Sequence, residues 1–87
     1  MKENGRGVCM NEFNTKAVGT VIRRLRKEKE LSQELFSGLA GIARSHLSMI
    51  ESGDKKANFE TLWKIASAFG MTPHELVEQI EIESEKL

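Results

Sequence analysis

With 87 residues, 39% of them hydrophobic, and a mean hydropathy of −0.39, the chain has room for one soluble domain with a modest core. No apolar run approaches the ~18 residues of a membrane span, no signal-peptide core opens the sequence, and the single Cys9 has no internal disulfide partner, so a cytoplasmic setting is expected. The formal net charge is +0, but residues 1–57 hold eleven Lys/Arg against seven Asp/Glu (net +4) and residues 58–87 hold two against six (net −4), a polarity able to turn one end toward phosphate.

Residues 1–14, MKENGRGVCMNEFN, lack periodicity and read as a disordered tail, with Met10 as an alternative start. Asn14 or Thr15 can cap a first helix, about Lys16 to Lys29, whose buried stripe is Val18, Val21, Ile22 and Leu25. Arg23, Arg24, Arg26, Lys27 and Lys29 crowd its C-terminal end, where cations complement the helix dipole. That cluster is either a solvated basic face or a source of phosphate contacts through Arg23, Arg24 or Lys27. Ser32 caps a second helix, about Gln33 to Ala40, with Phe36 and Ala40 turned inward, and Gly41 ends it.

A third helix follows, ended by Gly53, with Leu47 and Ile50 inward and Ser45, Ser48, Met49 and Ser52 outward. Solvated helices usually carry long Lys and Glu outside. Short hydroxyls suit close approach to another surface, and the major groove of DNA admits one α-helix. The loop Gly53-Asp54-Lys55-Lys56-Ala57 leads to Asn58, the cap of a fourth helix, about Phe59 to Phe69. Its inward set is Phe59, Leu62, Ile65, Ala66 and Phe69; Trp63 beside it is either core edge or subunit contact. After Gly70, Thr72-Pro73-His74-Glu75 forms a capping box and opens a fifth helix to about Ile82, with Leu76, Val77 and Ile80 apolar among glutamates. The expected organisation is an all-α, five-helix domain over 15–82, between a tail at 1–14 and a C-terminal tail at 83–87.

The second and third helices resemble the helix-turn-helix of the lambda-repressor-like, or XRE, family. The residues that carry the likeness are Leu31-Ser32-Gln33, Ala40-Gly41-Ile42, and Arg44-Ser45-His46-Leu47-Ser48 followed by Ile50-Glu51 and Gly53, with FETLWKIASAFGMTPHEL at 59–76 extending it. Within that family the RSHLS run and the short length are similar to controller proteins of restriction–modification systems. The resemblance implies a lambda-repressor-like fold, a third helix in the major groove, and an ion pair between Arg26 and Glu51 that ties the first helix to the third. The sequence departs from the family pattern at Leu35 and Leu39, where exposed charges are usual, at Gly38, which costs about 0.5–1 kcal/mol in a helix interior, and at Ala43, where a capping Ser or Thr is common. Leu35 and Leu39 are expected to add core contact; the alternative is that they cover the tail or a partner.

For DNA, Gln33 and the free amides at the start of the second helix suit a phosphate. Arg44 can reach a guanine O6/N7 pair, Ser45, His46 and Ser48 can bond bases or phosphates, and Met49 can meet a thymine methyl. Lys55 and Lys56 position by charge. The alternatives are a surface salt bridge for Arg44 and plain solvation for the lysines. His46, His74 and Cys9 lack a metal-ligand spacing, and neither a nucleophile signature nor a phosphate-binding glycine loop occurs. Catalysis, cofactors, metals, membranes and small-molecule substrates are therefore not expected, and the shortage of aromatics disfavours readers of single strands. Trp63, Leu76, Val77 and Ile80 are expected to form a homodimer seam that matches a near-palindromic operator. The rival reading is an antitoxin or other interaction module of the same fold.

Overall fold

The computed structural model describes residues 13–86, and among these it has five helices and no strand. Four helices start at a side-chain cap, which supplies an acceptor to amides that the first turn leaves free. Asn14 Oδ1 accepts the Lys16 and Ala17 amides at 2.9 and 3.1 Å to open α1 (Thr15–Glu28). Ser32 Oγ accepts the Leu35 amide at 3.0 Å ahead of α2 (Gln33–Ala40), and Asn58 Oδ1 accepts the Thr61 amide at 2.8 Å ahead of α4 (Phe59–Phe69). At α5 (Pro73–Lys86), the Glu75 amide donates to Thr72 Oγ1 at 3.1 Å while the Thr72 amide donates to Glu75 Oε1 at 2.9 Å. The exception is α3 (Arg44–Ser52), where Ala43 provides no side-chain cap. Gly41, Gly53 and Gly70 end α2, α3 and α4 in the left-handed conformation.

The core joins Val18, Val21 and Ile22 of α1 to Phe36 and Ala40 of α2, Leu47 and Ile50 of α3, Ile65, Ala66 and Phe69 of α4, and Leu76 of α5. Phe36 and Phe69 stack with ring centroids 4.4 Å apart. Helix α1 lies across α3 and α5, α2 packs on α3 and α4, and α4 packs on α5. The α1–α3 contact is close because Gly19 has no side chain: a Cβ there would collide with the backbone carbonyls of Ile50 and Glu51.

Several positions differ from the sequence reading. Phe59, expected in the inward set, is 79% exposed in the first turn of α4, one turn before the exposed Trp63. Leu25 and Leu62 are only half-buried at the margin of the core. Leu35 and Leu39, expected to add core contact, are 54% and 60% exposed, each one residue before the buried Phe36 and Ala40 and so turned about 100° away from the core face of α2. Leu76, expected at a dimer seam, is fully buried, since α5 turns this residue into the space between α1 and α4. Helix α5 runs to Lys86 rather than Ile82, so 83–86 is helix and not tail. Arg24 of α1 holds that last stretch, donating to Glu83 Oε1 at 3.0 Å and Gln79 Oε1 at 3.3 Å. The tail expected at 1–14 lies, for residues 1–12, outside the described residues; Asn14 belongs to α1 as its cap.

Candidate nucleic-acid interface

The turn between α2 and α3 is set by Gly41, whose φ of 75° lets the amides of Gly41 and Ile42 both return to the Ser37 carbonyl, at 2.9 and 3.0 Å. The chain then re-enters helix at Arg44. From α3, Leu47, Ile50 and Glu51 point into the molecule. Arg44, Ser45, Met49 and Ser52 are exposed, and His46 and Ser48 are half-buried beside them. Ser52 is occupied locally, its one O–H within reach of two acceptors, Asp54 Oδ2 at 2.8 Å and the Met49 carbonyl at 3.0 Å. The hydroxyls of Ser45 and Ser48 form no such bond among the described residues, so this face of α3 presents Arg44, two free hydroxyls and a thioether.

Behind that face, Glu51 is buried and held by several donors. Arg26 Nε donates to Oε2 at 2.7 Å and Nη2 to Oε1 at 2.9 Å, a bidentate pair, while Nη1 donates to the Leu31 carbonyl at 2.7 Å. Gln33 Nε2 also donates to Oε1, at 3.0 Å, and Arg23 Nε stands 3.6 Å from the same oxygen. Burial by itself would raise the Glu51 pKa. The hydrogen bonds from Arg26 and Gln33, together with the charges of Arg26 and Arg23, outweigh that and hold it below the ordinary carboxylate value. The hydrogen bond to Glu51 likewise raises the Arg26 pKa, against the effect of its own burial. One carboxylate thus fastens α1, the start of α2 and the end of α3 together.

Gln33 is therefore not a free amide: one N–H of its NH₂ braces Glu51, which leaves the second N–H and the carbonyl oxygen. Gln33 and Arg44 line one open depression with Ser32, Glu34 and Arg26, which brings the starts of α2 and α3 to one surface. Lys55 and Lys56 are exposed in the loop after α3. The amides of Asp54 and Lys55 both donate to the Met49 carbonyl, at 2.9 and 3.1 Å, and Lys56 Nζ lies 5.8 Å from the centre of the Phe13 ring. Of the residues expected at a subunit seam, Trp63 is 61% exposed, Val77 is exposed and Ile80 is half-buried; Ile82, not singled out from the sequence, is exposed near the far end of α5. Sequence reasoning also missed Arg23 at Glu51 and Arg24 at α5, since both lay in one undifferentiated basic run. Among the described residues no His/Cys/Asp/Glu cluster could hold a metal ion, and no helix is long and apolar enough to cross a membrane.

Comparison with known proteins gives a match to the helix-turn-helix family model HTH_3 over residues 22–76. Control protein C.MunI of a Mycoplasma species is 37% identical over 75 residues, covering 85% of this chain and 100% of the relative. The uncharacterized HTH-type transcriptional regulator y4dJ of Sinorhizobium fredii is 39% identical over 62 residues, 71% of this chain and 80% of the relative. The crystal structure of the restriction–modification controller protein C.AhdI from Aeromonas hydrophila superposes with a TM-score of 0.68 at 34% identity, covering 71% of this chain and 94% of that one.

Proposed function

This chain belongs to the HTH_3 helix-turn-helix family, and from that premise we propose that it is a transcription regulator of double-stranded DNA, acting as a homodimer on a near-palindromic operator. Its likeness to C.MunI and C.AhdI supports restriction–modification control as its setting; we further take it to act in the cytoplasm, without catalysis, cofactor or metal. The observation that carries the reading is the exposed face of α3, where Arg44, Ser45 and Met49 stand clear of the core that Leu47, Ile50 and Glu51 anchor behind them. A helix so presented fits the major groove.

Arg44 reads a base through its fork, Ser45, His46 and Ser48 bond base edges or phosphate, and Met49 packs on a thymine methyl. Lys55 and Lys56 neutralise phosphate and carry no sequence information. Gln33, with one N–H on Glu51, turns its second N–H to a phosphate beside the free amides at the start of α2. The interaction-module reading has one observation in its favour, the exposure of Leu35 and Leu39. It is compatible with DNA binding because neither residue lies on α3.

The test is selection of bound sites from a random duplex library, followed by titration of two variants on the selected operator. Arg44→Ala should cost about 1–3 kcal/mol and relax discrimination at one base pair, whereas Lys56→Ala should weaken all duplexes alike and reduce the salt slope by about one. A library that yields no enriched sequence, or an Arg44→Ala protein with unchanged preference, would defeat the reading.

A further inference from the structure

Arg23 and Arg24 are adjacent, carry the same charge and have the same reach, yet their surroundings differ. Arg24 is matched one to one, with Nη1 on Glu83 Oε1 at 3.0 Å and Nη2 on Gln79 Oε1 at 3.3 Å. Arg23 has its Nε 3.6 Å from Glu51 Oε1. The negative charge of Glu51 is already balanced by the bidentate contact with Arg26. Two guanidinium groups facing one carboxylate leave a local net charge of +1, and Arg23 is its accessible member, with 51% of its side chain in solvent. Its Nη groups donate to no other described residue. Glu51 Oε1 also takes the Gln33 amide, which places Arg23 beside the start of α2 and the depression that Arg44 lines.

A carboxylate at the Nε edge narrows the rotamers of a long side chain without neutralising it, and an arginine so held keeps its fork for an outside anion. We propose that Arg23 contacts a DNA phosphate, positioned beside Gln33 by the buried carboxylate of Glu51, and that Arg24 makes no such contact because α5 occupies it. The inference rests on the DNA-binding reading above and assigns a role within it to one of two neighbouring arginines.

The experiment measures duplex affinity against salt concentration for wild type, Arg23→Gln, Arg23→Lys and Arg24→Gln, on the selected operator and on a mixed-sequence duplex. Arg23→Gln should lower the magnitude of the log–log slope by about one on both duplexes without changing base preference. Arg23→Lys should restore the slope, and Arg24→Gln should keep the wild-type slope although it loses the same charge. Equal changes in Arg23→Gln and Arg24→Gln would mean that only the general field matters and would overturn the assignment, as would a wild-type slope in Arg23→Gln. In the unmutated protein, the Arg23 Nε–H resonance should shift on titration with duplex while that of Arg24 stays in place; the reverse pattern also overturns it. A wild type that binds neither duplex removes the DNA-binding reading and this assignment together. A wild type that binds with normal salt dependence, beside an Arg23→Gln protein that does the same, removes the Arg23 assignment alone.

Discussion

Arg26 and Glu51 each lie inside the molecule in a bidentate pair, with the Leu31 carbonyl taking a further Arg26 N–H and Gln33 donating a further bond to Glu51. Removing one partner leaves the other charged and buried, which typically costs about 3–5 kcal/mol, far more than an exposed pair is worth. Arg26→Ala should lower the urea midpoint accordingly at neutral pH; a loss under about 1 kcal/mol would place the pair among minor surface contacts. The sign with pH follows from the lowered pKa of Glu51. Its contribution is complete above its ordinary value of 4.5 and is lost as pH falls through the lower value of the folded state. Urea midpoints should therefore drop as pH is lowered below 4.5, in a protein otherwise near its stability plateau. The pairing of Arg26 with Glu51 could be anticipated only through family resemblance, since no periodicity links positions on different helices. That Gln33 and Arg23 also turn to Glu51 had no sequence signal at all.

Helix ends were legible because they depend on chemistry local to a few residues. Asn14, Ser32, Asn58 and the Thr72–Glu75 box cap the helices they precede, and Gly41, Gly53 and Gly70 close them. The far end of α5 was not legible, because past Ile82 the helix meets Arg24 of α1 through Glu83, a contact between distant positions that no local signal marks. Nor was the role of Gly19, which in sequence is merely a poor helix former within α1. In the fold it is where α1 meets the backbone of α3 at Ile50 and Glu51. A methyl group there must displace carbonyl groups and not a flexible side-chain end. Gly19→Ala should therefore destabilise by about 1–3 kcal/mol through overpacking, despite the better helix propensity of alanine. Thermal unfolding checks this, and a melting temperature at or above that of wild type would show that α1 and α3 separate without cost.

For the molecule as a whole, a dimer seam has to be drawn without Leu76, which a single subunit already buries. Periodicity gave the apolar face of α5 but not which part of it α1 and α4 would cover. What remains outside is Trp63 and Phe59 one turn apart on α4, with Val77 and Ile82 on α5. Trp63→Lys should split a dimer while leaving each subunit folded, because the Trp63 side chain lies outside the core; burying large apolar side chains at a seam is worth about 1.5–3 kcal/mol each. Operator affinity should then collapse, since two linked reading helices roughly 34–36 Å apart are what match successive turns of B-DNA. Sedimentation of wild type and Trp63→Lys tests the point, and a wild type that is already monomeric at the concentrations used for DNA binding would refute it.

The missing cap at Ala43 has a consequence for α3 in isolation. The helix is nine residues long, lacks a side-chain acceptor at its start, and has three of its residues committed to the interior. Isolated helices shorter than about 12–15 residues are marginal in water even with good composition. A synthetic peptide of residues 44–52 should therefore give a coil-like circular dichroism spectrum and fail as a miniature of the protein. Cross-linking its ends into a helical turn would not replace the anchor that Glu51 finds in Arg26, which lies on another segment of the chain.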